Sequence, residues 1–441
     1  MGEKAPPIAV EEADKLLTPL AAYGAIVLAV SGGPDSLALM HLAAEWNLRH
    51  PQASRRVLVA TVDHGLRAQS AREARFVAGC AARLGLAHCT LNWEGEKPAR
   101  GLPAAARAVR YGLLAAQAAA LGATSVCLVT GHTQDDQAET FLMRLKRGSG
   151  IDGLSAMAPC TLLPEGRSVA LLRPFLCVPK ARLVSTLQAR GATWIEDPTN
   201  TCLDYERPAL RAALARLEDE GINAVAIATS ARRLRAAREA VDYAVGRFSE
   251  TLGLSFNDEI FASLSRVAFD AGPGHLRERV LAALIARFGG ASRPPQLSEI
   301  EDLTARLALG QRTTATLGGA VVAATARSLK VWREMGRIDD APLLLEPAGA
   351  WHVWDRRFKV RAKTLQAGLH VRALGEAARR DRIAPFLRPD RSLPAAAVAA
   401  LPAFWAHDRL VAVPTLKGYL QSSDPPVLLA EGLEACPLST G

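Results

Sequence analysis

Between residues 25 and 146 the chain repeatedly alternates a short β-branched or aliphatic run with a helix-periodic stretch. The runs Ala25–Val30, Arg56–Asp63, His88–Trp93 and Ser125–Thr130 predict strands, and the stretches 35–47, 70–84, 103–121 and 133–146 predict helices. Strands joined through crossover helices pair in parallel by right-handed βαβ units, and helices must cover both sheet faces. The expected fold class is therefore α/β, with a parallel doubly wound, Rossmann-like sheet. In such sheets ligands bind outside the carboxyl ends of the strands, so the residues just after each strand are the ones to read for chemistry.

After the first strand come Ser31, Gly32, Gly33, Pro34, Asp35 and Ser36. Two readings stand side by side. The stretch suits a tight turn with helix-capping residues. It also suits a phosphate loop, in which glycines let backbone N–H groups approach an anion at a helix N-terminus and Asp35 holds Mg2+. A Walker loop is excluded because GxxxxGK[ST] is missing, and the literal GxGxxG at Gly148–Gly153 follows a helix, the wrong context for a dinucleotide fingerprint. The second strand ends in Asp63 and His64, with Arg67 close behind, either an exposed turn or one side of a ligand site. Arg107 and Arg110 share one face of the third crossover helix beside Tyr111, as a solvated face also would. At the fourth strand end stand His132, the cap Thr133, and Asp135 and Asp136. These two acids either stabilise the helix dipole or supply a second magnesium ligand and a proton acceptor. Arg144, Lys146 and Arg147 form a basic cluster at the far end of that helix, and Arg207 lies further on.

The remainder suggests two more domains. Residues 204–250 are helical and arginine-rich, helices follow near 274–288 and 296–308, and "GAVVAATARSLKVWRE" alternates like strands. Past a linker at 339–349, strands around "RALGEAARRDR" predict a small α+β domain. The expected division is 1–215, 216–338 (mainly helical) and 345–441. The 441 residues carry 53 Lys and Arg against 44 Asp and Glu, a net charge of +9 that favours a polyanionic partner. The seven cysteines (80, 89, 127, 160, 177, 202, 436) contain no CxxC pair, which suits reduced thiols. No apolar run reaches membrane-spanning length, and acids rather than a basic segment precede Leu20–Val30. A soluble cytoplasmic protein is expected.

Taken together, SGGPDS, VDHGLR, AR-x-x-RY at Arg107–Tyr111, GHTQDDQAET, RLKRGSG, RPF at Arg173–Phe175 and EDPTN at 196–200 resemble, in order and approximate spacing, the tRNA(Ile)-lysidine synthases of the PP-loop ATP pyrophosphatase superfamily. The likeness is strong over about 25–211 and weaker beyond. Pro208 departs from the family, which usually has Asn there. The resemblance implies adenylation of the wobble cytidine of the CAU-anticodon isoleucine tRNA, then attack by free L-lysine. ATP and Mg2+ would be required. It implies ATP contacts from Ser31 to Ser36, Asp63, His64 and His132, and catalytic roles for Asp35, Asp136 and Arg110. Asp35 and Asp136 would hold magnesium. Arg67, Arg107, Arg144, Lys146, Arg147 and Arg207 would contact tRNA. No glutaminase or membrane partner is expected, and a homodimer is allowed. The alternative is a tRNA thiolase of the same superfamily, which would need catalytic cysteines or a CxxC pair.

Overall fold

The computed structural model describes residues 5–438 except 52–54, 66–68, 99, 164–168, 197–205, 292–293, 311, 340, 365, 389–392 and 421–431; side chains at 206–208, 212 and 215 are also outside the description. The chain divides into two compact units, Met1–Glu239 and Ala240–Gly441.

The first unit opens with α1 (Val10–Leu17) and continues through β1 (Ala25–Ala29), α2 (Pro34–Arg49), β2 (Arg56–Asp63), α3 (Ser70–Arg83), β3 (Ala87–Asn92), α4 (Leu102–Ala120), β4 (Val126–Thr130) and α5 (Gln134–Leu145). Then come α6 (Ile151–Leu154), β5 (Cys160–Leu162), β6 (Ala170–Leu172), α7 (Lys180–Ala189), α8 (Glu206–Glu218) and α9 (Ala224–Thr251), a helix that contains the division between the units. The sheet order is β3-β2-β1-β4-β6-β5, parallel except for the edge pair β5–β6.

β1 is apolar throughout because both its faces are covered. Successive side chains point to opposite sides of the sheet, so Ala25 and Val27 join the core under α4 while Ile26 and Leu28 join the core shared with α1, α2, α3 and α7. β4 divides likewise, with Val126 and Leu128 on one side and Cys127 and Val129 on the other. Leu37, Ala38, Leu39, Met40 and Leu42 of α2 are all buried, as a helix enclosed on most sides requires.

The connection after β1 leads to β2 on one side, and the chain later returns to lay β4 on the other. The β1/β4 pair is thus the point where the strand order reverses, and a crevice opens beyond its carboxyl end.

The second unit holds more strand than its sequence pattern suggests. β7 (Phe261–Ser265), β8 (Thr313–Leu317), β9 (Ala320–Ala324) and β10 (Ser328–Arg333) form an antiparallel sheet ordered β7-β10-β9-β8. It packs against the helices Gly274–Gly289 and Leu297–Ala308 through Leu281, Ile285 and Leu303. Two further antiparallel sheets lie C-terminal, a four-stranded one between residues 343 and 412 and a three-stranded one that includes His352–Trp354, Phe358–Ala362 and Leu433–Pro437. Their core includes Phe261 and Trp332 of the preceding sheet. Arg333 donates two hydrogen bonds to Asp355, at 2.7 and 2.6 Å, with both side chains buried. No helix among the described residues is long and apolar enough to cross a membrane.

Candidate active site

The loop after β1 closes on itself. The Ser31 N–H donates to Ser36 Oγ at 3.2 Å, and the Ser36 hydroxyl donates to the Gly33 carbonyl at 3.0 Å. Gly32 has φ +89°, a conformation that glycine adopts without strain, and a Cβ there would meet Ile195 Cδ1 at 2.6 Å. Pro34 begins α2 and no side chain caps it, which leaves first-turn N–H groups for an anion.

This loop forms one wall of a cavity of about 480 Å³. Ser31, Gly33, Pro34, Asp35 and Ser36 line it, together with His64 from the end of β2, Arg110 from α4, and His132 and Asp136 beyond β4. Gly32 and Asp63 do not. Asp63 is turned into its own loop, where Oδ1 accepts the Gly65 N–H at 2.8 Å. A hydrogen bond from Ser70, then the one from Gly65, hold its carboxyl below the usual range against a desolvation penalty.

Asp35 is the least ordinary group. Burial pushes its carboxyl up, Asp136 and Asp135 push the same way, and the Lys180 ammonium opposes them. Lys180 Nζ donates to Asp35 Oδ2 at 2.8 Å, while Asp35 Oδ1 is buried with no hydrogen-bond partner. Asp136 completes a capping box, with Oδ2 accepting the Thr133 N–H at 2.8 Å and the Thr133 hydroxyl at 2.9 Å. Helix capping and a place in the cavity therefore coexist in one residue, since both bonds fall on a single carboxylate oxygen. Asp135 is structural, its Oδ2 accepting the Lys180 backbone N–H at 2.8 Å.

His132 shares a 2.8 Å hydrogen bond with Thr130 Oγ1. Burial first, then Arg173, Arg107 and Arg110, bring its pKa down to about 4 despite Asp136, so the ring is neutral at neutral pH. His64 is likewise shifted down, by burial and then by Arg110. Arg107 and Arg110 lie 5.0 and 5.4 Å from the Tyr111 ring centroid, and of the two only Arg110 lines the cavity.

The basic residues after α5 separate. Arg144 donates to the carbonyls of Gly153 and Ala156, at 2.8 and 3.0 Å, and so anchors the following loop. Lys146 and Arg147 are exposed and outside the cavity. Arg67 lies outside the described residues, as do residues 197–200 of the EDPTN run; of Arg207 only the backbone, in α8, is described.

Three participants have no role in the motifs as read from the sequence, although one of them, Gly131, opens the GHTQDDQAET motif. Lys180, the first residue of α7, reads as a surface cation. Arg211 of α8 lines the cavity and pairs with Glu139 of α5, whose side chain is buried. Gly131 brings β4 against the start of α2, and a Cβ there would stand 2.7 Å from the Asp35 carbonyl oxygen. The Gly between strand and His132 was the one available signal, since it marks a close backbone approach.

The PP-loop domain family matches residues 7–218, a span that holds the crevice at the strand-order reversal, its glycine loop and the partly buried Asp35, and this places the chain among PP-loop ATP-binding proteins. The chain is similar to the tRNA(Ile)-lysidine synthase of Ruegeria pomeroyi, 39% identical over 88% of this chain and 87% of that one. It is also similar to the same enzyme of Bradyrhizobium sp., 46% identical over 68% of this chain and 84% of that one. It belongs to the tRNA(Ile)-lysidine synthase family. Among solved structures, the U34-tRNA thiolase NcsA from Methanococcus maripaludis is similar at 15% identity over 51% of this chain and 78% of that chain, with a TM-score of 0.42.

Proposed function

We propose that the chain joins free L-lysine to C2 of the wobble cytidine in the CAU-anticodon isoleucine tRNA, as an ATP-dependent ligase forming a C–N bond. What carries the reading is the cavity that brings the Ser31–Ser36 loop and Asp136 together, in a chain of this family.

In the first step the cytidine O2 attacks the α-phosphorus of ATP. The bond to the bridging oxygen breaks and pyrophosphate leaves with the electron pair. Charge grows on the phosphates, where the uncapped N–H groups of α2 and the Ser31 hydroxyl can meet it, and the Ser36 hydroxyl can join them by giving up its bond to the Gly33 carbonyl. In the second step the lysine ε-amine attacks C2 and AMP departs. The amine must shed a proton, and Asp136, with one oxygen outside its capping box, is the proposed acceptor. Neutral His132 can orient a substrate by hydrogen bonding without repelling the amine. Arg110 would orient the adenylated base, and a wobble base in a loop can be splayed out without breaking a duplex.

Magnesium fits this site. Asp35 offers a buried oxygen that no protein donor satisfies, and Asp136 is a second carboxylate in the same cavity. Among the described residues no group of three His, Cys, Asp or Glu forms a metal cage, which agrees with an ion that takes one or two carboxylates and completes its shell with phosphates and water. Such an ion would neutralise phosphate charge.

The exposed basic residues Arg107, Lys146 and Arg147 are proposed tRNA contacts. The alternative of a thiolase is disfavoured by the cysteines: six are described, all free, and none lines the cavity. The test is incubation with ATP, the isoleucine tRNA and labelled lysine, followed by nucleoside analysis. Label entering only tRNA with cytidine at the wobble position supports the reading, whereas ATP-dependent incorporation of sulfur, or no AMP at all, refutes it.

A further inference from the structure

Lys180 stands on the carboxylate best suited to a divalent cation, yet neither chemical step above uses it. Its position is set by the fold rather than by chance contact of a long side chain. The Lys180 backbone N–H donates to Asp135 Oδ2 at 2.8 Å, and the Gln134 N–H donates to the Val178 carbonyl at 3.0 Å. The start of α7 is thereby tied to the first turn of α5. From there the ammonium reaches Asp35 Oδ2 at 2.8 Å, inside the cavity that the phosphate loop lines.

A largely desolvated carboxylate such as that of Asp35 needs a counter-charge. Lys180 supplies it at Oδ2, and Asp35 Oδ1 has no hydrogen-bond partner. A divalent cation on Oδ1 and an ammonium on Oδ2 repel each other across a partly desolvated carboxylate, so arrival of the metal weakens the hold of Lys180. The Lys180 side chain is 39% exposed, against 23% for Asp35. That leaves the long, flexible side chain room to swing away while Asp35 stays fixed on α2.

We propose that Lys180 is a place-holding cation. It occupies Asp35 until metal-bound ATP arrives, then yields the carboxylate to the metal and turns its ammonium to the outer phosphates. There it would neutralise the pyrophosphate as the bond to the α-phosphorus breaks and the electron pair moves to the leaving oxygen. Lys180 itself forms no covalent bond and transfers no proton. The second half of this role rests on the adenylation chemistry proposed above; the first half does not.

The test separates the two. Mn2+ binding to the full-length, nucleotide-free protein is measured by the loss of its free electron-paramagnetic signal, with no tRNA or lysine present. Lys180→Met and Lys180→Gln are expected to bind Mn2+ about tenfold or more tighter than the parent, corresponding to removal of about 1.4 kcal/mol of competition. The gain should vanish when either change is combined with Asp35→Asn. The same single variants should release pyrophosphate from ATP, in the presence of tRNA, about 100-fold more slowly, the scale for loss of one charge-stabilising donor. Unchanged or weaker Mn2+ affinity in both folded variants overturns the place-holding role, and undiminished pyrophosphate release overturns the transfer to phosphate. If the parent itself releases no pyrophosphate, the adenylation reading fails while the Mn2+ comparison still decides the first half.

Discussion

Replacing Gly131 by alanine puts one methyl group where the end of β4 meets the first turn of α2. The new Cβ would lie 2.7 Å from the Asp35 carbonyl oxygen, 2.9 Å from its carbon and 3.2 Å from the Ser36 nitrogen. All three neighbours are backbone, so no side chain can rotate to make room. Gly131 is not among the glycines with positive φ, and its own conformation admits alanine. The obstacle is purely the approach of the loop. Relief requires β4 and the start of α2 to separate by several tenths of an ångström, which overpacking data put at about 1–3 kcal/mol. Because the displaced atoms carry Asp35 and Ser36, a shift approaching about 1 Å would also slow the chemical step by about 100-fold. Urea unfolding gives the first quantity and tRNA-dependent pyrophosphate release the second. Gly112→Ala is the companion. It lies inside α4 with no atom within 4 Å of the added carbon, so it should gain about 0.5–1 kcal/mol with no change in turnover. A Gly131→Ala protein that unfolds and turns over like its parent would refute the close approach as the feature that shapes the loop.

Asp35→Ala should abolish AMP formation while leaving tRNA affinity intact, as nitrocellulose filter binding would report; loss of tRNA binding would contradict the assignment of Asp35 to the nucleotide. His132 links stability to pH. Below about pH 6.5 the unfolded chain takes up a proton there that the folded chain refuses until about pH 4, so stability falls as pH drops through that window. The difference between parent and His132→Gln unfolding free energies should slope by up to about 1.4 kcal/mol per pH unit between those limits and be flat above; a flat difference throughout would mean the ring is accessible to protons in the folded state. Arg333→Met leaves Asp355 buried without its bidentate partner and should cost about 3–5 kcal/mol in urea. The double change Arg333→Met with Asp355→Leu should recover part of that loss, and no recovery would show that the cost lies elsewhere, in the carbonyls of Gly319 and Arg337 that Arg333 also serves.

In the first unit the elements read from the sequence lie within one or two residues of those formed. β1 and β4 are buried on both faces and β2 at its centre, so each shows a mainly apolar run, and the helices between them must keep an apolar stripe. Asp35, His132 and Asp136 were legible for the same reason, each following a strand end. β5 and β6, of three residues each, are too short to show a period, and they appear only through pairing. β7 and β8 escaped for a related cause: "FASLS" and "TTATL" are short strands rich in small or hydroxyl residues, of which Ala262 and Leu264 are buried and Ala315 and Leu317 only partly so. Lys180 and Arg211 were illegible in kind. Their partners, Asp35 and Glu139, stand 145 and 72 residues away, and nothing local distinguishes such a cation from a solvated one.

The anchoring of Lys180 also bears on when the site exists during synthesis. A growing chain has the complete phosphate loop once residue 36 is made, and after residue 130 it has both strands of the crevice. Until residue 180 emerges, Asp35 has no counter-charge, and Asp135 and Gln134 have no segment to hold. Chains emerge and fold from the amino end, so the ribosome displays a recognisable nucleotide loop for roughly 150 residues before the pocket around it can close. Competence to bind nucleotide would thus mark a late stage in making this unit.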